Sequence, residues 1–332
     1  MGPFPHDAPR ATITAANPAG TDGFEFVEFA HRDPKELETL FRRMGFTEVA
    51  RHKTKDISLY RQGRVNYILN RQPGGHAARF VAEHGPCAPA MAWRVVDAQV
   101  ALKRCLDYGA EEYTGADKTL DVPAVIGIGG SLLYVIDQYG DAGSLYDAWD
   151  EIEGWEEAER KNSVGLEILD HLTHNVRRGQ MRTWSGFYNS IFNFEEQKYF
   201  DIKGKATGLF SQAMIAPDRA IRIPLNESQD ENSQIEEFIR RYNGEGIQHL
   251  AMTTDNIYET VEALRARGVR LQDTIETYYE LVDKRVPGHG EDLERLKANR
   301  ILIDGNVGEE GILLQIFTEN LFGPIFFEII QR

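Results

Sequence analysis

The stretch Leu313–Arg332 reads LLQIFTENLFGPIFFEIIQR. Two runs of β-prone residues, LLQIFT and IFFEII, stand on either side of Asn320 and the Gly323–Pro324 pair, which favour turns, so the pattern predicts a β-hairpin. The second predicted strand carries one carboxylate, Glu328, among apolar neighbours. A charged carboxylate on the buried face of a strand is costly unless it is paired, hydrogen-bonded or bound to a metal ion. Glu328 therefore requires partners from elsewhere in the chain.

Two histidines lie in similar strand-like surroundings, His171 in ILDHLTHNV and His249 in GIQHLAMTT. Two imidazoles and one carboxylate from three strands can occupy one face of a six-coordinate metal ion and leave the opposite positions open, as in non-haem Fe(II) oxygenases. His174 is three residues from His171, so alternation along a strand places the two side chains on opposite faces. The alternative for each histidine is a neutral, hydrogen-bonded side chain, and spacing alone does not decide between the two.

The chain repeats one plan from Gly23 onwards: an apolar strand, an amphipathic helix, a break that contains glycine, and further strands. The four copies open with GFEFVEFA, AMAWRVVD, LDHLTHNV and GIQHLAMTT. We therefore predict an α+β fold of four βαβββ modules. A single module cannot cover its own sheet, so we expect the modules to pair edge to edge into two open-barrel domains with helices outside.

The predicted domain organisation has four parts. Residues 1–22 are rich in Pro, Ala and Gly and lack the pattern of a signal peptide, so we expect a flexible tail. Residues 23–148 form the first domain and residues 166–332 the second, with the acid-rich residues 149–165 as a linker. An insertion at residues 272–300 is predicted to decorate the surface. Only the second domain holds both histidines, so we expect the first to be a scaffold without metal.

The charge and cysteine content limit the classes of partner. The formal net charge of −15 argues against general binding to nucleic acid or to anionic membrane surfaces, because Lys and Arg form no basic stripe. The expected partner is therefore a small molecule. Cys87 and Cys105 are too few for a disulfide framework. No stretch approaches the roughly 18 consecutive apolar residues of a membrane-spanning helix. We expect a cytoplasmic protein.

Neutral polar side chains recur on otherwise apolar predicted strands of the second domain: Ser211, Asn226, Gln234, Gln248 and Gln315. Satisfying local backbone groups is the ordinary role of such a residue. Several amides around one cavity would instead bind a substrate that carries hydroxyl and carbonyl oxygens. The aromatic residues Phe317, Phe326 and Phe327 belong either to the core or to a wall on which an aromatic ring stacks.

Several segments resemble the 4-hydroxyphenylpyruvate dioxygenases, a family of the vicinal oxygen chelate superfamily, and especially its bacterial members. The likeness covers residues 23–332 and is carried by GIQHLAM, LLQIFT, FFEIIQR, LDHLTHNV, RIPLNE and YFDIKG. The resemblance implies Fe(2+) as the cofactor, with ligands at His171, His249 and Glu328. It implies substrate-binding roles for a larger set, to which we add Phe326: Ser211, Asn226, Gln234, Gln248, Gln315 and Phe317. Among these, Gln234, Gln248 and Asn226 are expected to act in catalysis by fixing substrate oxygens.

The implied reaction converts 4-hydroxyphenylpyruvate and O2 to homogentisate and CO2, a step of tyrosine catabolism. Three protein ligands leave the other coordination positions open to the 2-oxo acid of the substrate and to O2. The resemblance also suggests a homodimer or homotetramer. The family normally continues past the final QR pair with a segment and a helix that close the active site. For a chain that ends at Arg332 we expect an open cavity mouth.

Other functions on the same scaffold remain open at this stage. 4-Hydroxymandelate synthase uses the same substrate and metal but hydroxylates the benzylic carbon, and the PLN sequence at Pro224–Asn226 favours the homogentisate-forming enzymes. Glyoxalase-like lyases and extradiol ring-cleaving dioxygenases lack the FFEIIQR context. Some proteins of this scaffold only bind and sequester small molecules.

Overall fold

The computed structural model describes residues 10–203, 208–308 and 311–332. Residues 1–9 of the predicted tail and Gly204, the last residue of the YFDIKG motif, lie outside the described residues. Within the described ranges the chain forms two sheets of eight strands each, one from each half of the sequence.

The first half forms one sheet with its helices. Its strands are Thr21–Ala30 (β1), Thr47–Arg51 (β2), Ile57–Gln62 (β3), Val65–Asn70 (β4), Cys87–Val95 (β5), Ala124–Ile126 (β6), Leu132–Ile136 (β7) and Asp150–Glu151 (β8). Its helices are Pro34–Arg43 (α1), His76–His84 (α2), Ala98–Asp107 (α3) and Trp155–Asn162 (α4). The strand order is β6-β7-β5-β1-β4-β3-β2-β8, so the first two modules meet where β1 pairs antiparallel with β5.

The second half repeats this arrangement. Its strands are Leu166–Val176 (β9), Glu195–Lys203 (β10), Gly208–Ile215 (β11), Arg222–Ser228 (β12), Gly246–Thr254 (β13), Leu302–Asn306 (β14), Gly311–Phe317 (β15) and Phe326–Gln331 (β16). Its helices are Met181–Phe192 (α5), Gln234–Tyr242 (α6), Ile257–Ala266 (α7), Val282–Arg285 (α8) and Leu293–Asn299 (α9). The strand order is β10-β11-β12-β9-β13-β16-β15-β14, and β9 pairs antiparallel with β13.

The C-terminal stretch forms the predicted hairpin. Strands β15 and β16 pair antiparallel, with Phe317 opposite Glu328. The connection between them includes Gly323 at a φ of 54°, a left-handed conformation that glycine adopts without steric cost. The predicted α+β fold of four paired modules is confirmed.

The helices pack on one face of each sheet. In the first half, Leu37 and Phe41 of α1 are buried against this face together with Phe29 of β1. The opposite, inner face of the first sheet is filled by the protein itself, because Tyr146 and Trp149 are buried in one apolar cluster with residues of β1 to β7. The inner face of the first half therefore holds an apolar core. The scaffold role of this half stays a prediction.

The two halves share one core. The hydroxyl of Tyr67 in the first half lies 2.9 Å from the sulfur of Met252 in the second. The ring of Phe29 lies edge-on to that of Phe322, with 5.4 Å between the ring centroids. Gly129 has a φ of 58°, and a Cβ placed there would lie 2.0 Å from the carbonyl oxygen of Glu245. Only glycine fits at this contact between the halves.

The structure differs from the sequence predictions at two places in the first half. Strand β1 begins at Thr21, inside the predicted tail, because Ala19 is buried and the side-chain amide of Asn17 donates to the Thr21 carbonyl. The domain boundaries otherwise stay a prediction. Helix α2 was not predicted, and it buries His76 and His84. No helix among the described residues is both long enough and apolar enough to cross a bilayer.

Candidate metal centre

His171 on β9, His249 on β13 and Glu328 on β16 meet on the inner face of the second sheet. Nε2 of His171 lies 3.0 Å from Oε2 of Glu328, and Nε2 of His249 lies 3.3 Å from the same oxygen. One ligand atom from each of the three residues lies within 4.8 Å of the other two. Within the described ranges no other group of His, Cys, Asp or Glu side chains has this arrangement.

Strand pairing explains why three residues far apart in sequence meet. Strand β13 lies between β9 and β16, and its Ala251 is directly opposite both His171 and Glu328. Residues directly opposite each other point to the same face of a sheet, and so do residues two apart, which brings His249 to that face as well. The methyl side chain of Ala251 leaves room for the longer side chains to converge above it.

The charges of the three groups depend on one another. Burial by itself would raise the pKa of Glu328, but hydrogen bonds from His171 and His249 and the positive charge beside it hold that pKa at about 2. Burial acts to lower the pKa of His171, yet the carboxylates of Asp170 and Glu328 outweigh it and raise the pKa to about 9. Burial keeps the pKa of His249 below its ordinary value. Without a metal ion, Glu328 is therefore a carboxylate and His171 carries a proton at neutral pH. A bound cation would supply the positive charge in place of that proton.

The donor atoms fit a divalent metal ion. Adjacent ligand atoms of an octahedral ion lie about 3 Å apart when the metal–ligand bonds are about 2.1 Å long. The distances of 3.0 and 3.3 Å between the imidazole nitrogens and the carboxylate oxygen match this spacing. Glu328 is 4% exposed and His249 is 8% exposed, so these two side chains are shielded from solvent, whereas His171 is half-buried. Two imidazoles and one carboxylate are the donor set of non-haem Fe(II) sites.

His174 lies on the other face of β9, as alternation predicts. Its Nε2 is 2.7 Å from the hydroxyl oxygen of Tyr188 on α5, and its side chain is fully buried. Burial lowers the pKa of His174 to about 3, so the ring is neutral at neutral pH. His174 therefore belongs to the packing of helix α5 against the sheet.

The predicted polar residues have different positions around the site. Ser211 on β11 is directly opposite Asn226 on β12, and Gln315 lies on β15 two residues before Phe317. Ser211, Asn226 and Gln315 are half-buried, and so is Phe317. All four lie on the sheet that carries the three proposed ligands. Their positions do not test the predicted substrate-binding roles, which stay predictions.

Gln234 does not lie on a strand, which corrects the sequence prediction. It is the first residue of helix α6, whose N-terminus is capped by Ser233 through a hydrogen bond to the Glu236 backbone. The apolar residues of this helix recur with helical spacing, at positions 235, 238, 239 and 242, and they pack into the core. Gln234 itself is exposed at the mouth of a cavity.

The phenylalanines surround His249. The ring of Phe326 stacks on the His249 imidazole with 4.8 Å between centroids, and the ring of Phe317 lies edge-on at 6.1 Å. Phe327 points the other way, into the core shared by the two halves. Of the three, Phe317 and Phe326 are the ones placed beside the ligands.

Two cavities lie near the three proposed ligands. One of about 300 Å³ is lined by Gln234, Gln248 and Phe326, and the last two of these contact His249. The other, of about 610 Å³, is lined by His171 together with residues of β11, β12 and β15. Of the three proposed ligands, His171 directly lines a cavity, and His249 contacts two residues that line the other.

Comparison with known proteins places this architecture. Residues 15–150 match the family described as "Hydroxyphenylpyruvate dioxygenase, HPPD, N-terminal", and residues 168–281 match the "Glyoxalase/Bleomycin resistance protein/Dioxygenase superfamily". The chain is 56% identical over 329 residues to the 4-hydroxyphenylpyruvate dioxygenase of Pseudomonas aeruginosa, covering 97% of this chain and 91% of the relative. It is 55% identical to hemolysin VllY of Vibrio vulnificus, covering 96% of this chain and 91% of that relative. A solved variant of 4-hydroxymandelate synthase from Streptomyces coelicolor has the same fold, with a TM-score of 0.79 and 24% identity. The match covers 94% of this chain and 93% of that structure.

The paired modules and the two-histidine, one-carboxylate arrangement define a vicinal oxygen chelate protein of the dioxygenase type. The identity to curated relatives extends over nearly the whole chain. The chain belongs to the 4-hydroxyphenylpyruvate dioxygenase family and is an enzyme. The resemblance carried by its sequence motifs is confirmed.

Proposed function

We propose that this protein is an Fe(II)-dependent dioxygenase that converts 4-hydroxyphenylpyruvate and O2 to homogentisate and CO2 in tyrosine catabolism. The observation that carries the proposal is the convergence of His171, His249 and Glu328 at octahedral ligand spacing in a chain of this family. The atoms balance, because one oxygen of O2 enters the new carboxylate and the other enters the ring.

When bound, Fe(II) would hold the 2-oxo acid of the substrate and activate O2. The protein's part is to hold the ion, orient the ring and exclude water. His171, His249 and Glu328 would hold the ion through three donor atoms on three adjacent strands. Because these strands belong to one hydrogen-bonded sheet, the donors are fixed before the ion binds.

We assign substrate binding to the neutral polar residues and the two phenylalanines near the ligands. Ser211, Asn226 and Gln315 can donate to and accept from substrate oxygens without adding charge. Gln234 and Gln248 line the smaller cavity and face the same space from a helix and a strand. Phe317 and Phe326 cover His249 on two sides, which excludes water and provides a surface for an aromatic ring.

The test is product analysis with the Fe(II)-loaded protein. Oxygen uptake is followed after addition of 4-hydroxyphenylpyruvate, and products are identified by mass spectrometry and NMR. We expect homogentisate and CO2 in equal amounts. Hydroxymandelate as the main product would replace the proposed reaction with that of 4-hydroxymandelate synthase. Substrate binding without O2 uptake would identify a non-catalytic binder.

We propose a cytoplasmic location and a homodimer or homotetramer for the same protein. The two cysteines, Cys87 and Cys105, are both free and buried, which fits a reducing compartment. The oligomeric state is supported by the family resemblance, and light scattering during size-exclusion chromatography tests it.

A further inference from the structure

Strand β9 and strand β13 each contain a β-bulge beside the proposed metal ligands. Between the pairs Ile247–His174 and His249–Thr173, β13 advances by two residues and β9 by one, so Gln248 is the extra residue. Between the pairs Ala251–His171 and Met252–Leu169, β9 advances by two residues and β13 by one, so Asp170 is the extra residue. A bulge turns its extra side chain away from strict alternation. Each ligand histidine is therefore directly preceded by a residue that can face the same way.

The Asp170 side chain bonds to the imidazole that follows it. Its Oδ2 lies 2.8 Å from Nδ1 of His171 and accepts a hydrogen bond from that nitrogen. A guanidinium nitrogen of Arg222 lies 3.4 Å from Oδ1 of Asp170, and one of Arg332 lies 3.1 Å from Oδ2. Asp170 is only 5% exposed. The carboxylate is held on one side by two guanidinium groups and on the other by the ligand.

The Gln248 side chain repeats the contact with a neutral group. Its Oε1 lies 3.0 Å from Nδ1 of His249 and accepts from it. In both strands the ring nitrogen away from the metal site is engaged, and Nε2 of each histidine faces Glu328. A hydrogen bond at Nδ1 selects the tautomer whose Nε2 lone pair can bind a metal, and it fixes the ring orientation.

We propose that Asp170 and Gln248 are positioning residues, placed by the two bulges to orient the ligands His171 and His249. The proposal rests on the metal site proposed above. The two partners differ in charge, so the carboxylate of Asp170 makes the His171 imidazole the more electron-rich ligand, while the Gln248 amide orients His249 without this effect. The Gln248 side chain also lines the smaller cavity.

Asp170 also separates two spaces in the protein. It lines a cavity of about 520 Å³ between the two halves, whereas His171 lines the cavity of about 610 Å³ on the site side. Arg222 lines both cavities. The Asp170–Arg222 pair therefore lies beside both cavities, next to the proposed ligand His171.

The test uses Co²⁺ alone as the probe on metal-free full-length protein, with no substrate. Its affinity is measured by absorbance titration, and the exchangeable ring N–H signals of the ligand histidines are recorded by paramagnetic proton NMR. We expect Asp170→Ala and Gln248→Ala each to weaken Co²⁺ binding by about 10- to 100-fold and to abolish or shift one N–H signal. Asp170→Asn and Gln248→Glu keep an acceptor oxygen and should retain the signal.

Asp304→Ala is the matched control. Asp304 lines the same cavity as His171, but its carboxylate accepts a hydrogen bond from the Gly305 backbone. Removing the Asp304 carboxylate should therefore leave Co²⁺ affinity within about twofold of wild type. An equal loss in this variant would assign the effect to general charge and overturn the proposal. Wild-type affinity and both N–H signals in the two alanine variants would also overturn it. If Asp170→Ala does not fold, the Gln248 variants decide alone. If wild type and His171→Ala bind Co²⁺ equally, the proposed metal site itself fails, a result distinct from all the others.

Discussion

Stability below neutral pH should depend on one buried histidine outside the metal site. His174 lies fully buried under α5, with its Nε2 2.7 Å from the Tyr188 hydroxyl. Burial lowers its pKa from 6.5 to about 3 in the folded protein. We predict that His174→Gln, which keeps a hydrogen-bonding side chain but cannot titrate, removes part of the acid sensitivity of the fold.

The sign follows from which state binds the proton. Below pH 6.5 the unfolded chain protonates His174 while the folded chain does not, so the stability contribution is full above pH 6.5 and is lost as the pH falls towards 3. At pH 5 the loss from this residue is about 2 kcal/mol, and it reaches about 4 kcal/mol if the fold persists to pH 3. The glutamine variant lacks this loss entirely.

The measurement is urea unfolding of metal-free protein at pH 7.5 and pH 5.0. We expect His174→Gln to be less stable than wild type at pH 7.5, with the difference shrinking by about 2 kcal/mol at pH 5.0. Tyr188→Phe is the control, because it disturbs the same contact and leaves the histidine, so it should keep the wild-type pH dependence. The same pH dependence in His174→Gln as in wild type would refute the reasoning.

Three further predictions concern the ligands, the pocket and the contact between the halves. Replacing any of the three proposed ligands by alanine should lower iron affinity by more than about 100-fold, whereas His174→Ala should keep iron; metal analysis after dialysis separates these outcomes. Gln234→Ala and Asn226→Ala should bind Fe(II) normally but lose rate or release misdirected products, and iron loss equal to that of the ligand variants would make them supports of the ligands. Gly129→Ala should lower the unfolding free energy by more than about 2 kcal/mol because its Cβ would meet the Glu245 carbonyl. Gly140→Ala has a similar φ of 63° in open space, so a loss of about 1 kcal/mol there isolates the clash in thermal or urea melts.

The fold was largely predictable because its signals are periodic and repeated. The hairpin that carries Glu328 and strand β13 match their predicted segments closely. Helix α6 was missed although its signals were present, with Ser233 three residues before Glu236 and apolar residues at helical spacing. Gln234 was predicted to lie on a strand, although the helical spacing of the apolar residues that follow it indicates a helix.

The site was predictable only as far as strict alternation holds. The interpretation of His171 and His174 as residues on opposite faces needed nothing more than a period of two. Strict alternation turns Asp170, the residue before His171, to the other face of β9, so it predicts no contact between the two side chains. A bulge is decided by the pairing with a distant strand, so the local sequence gives no sign of it. The same limit hid the contact between Gln248 and His249.

The core shared by the two halves bears on attempts to make a smaller catalyst. Residues 166–332 contain all three ligands, so a shortened chain would keep the donor atoms. It would also uncover Met252, Phe322 and Phe327, which now pack against Tyr67 and Phe29 of the first half. A miniature version therefore needs new polar residues on that surface or a substitute partner before its chemistry can be examined. In this structure the first half covers an apolar surface of the second half that would otherwise face solvent.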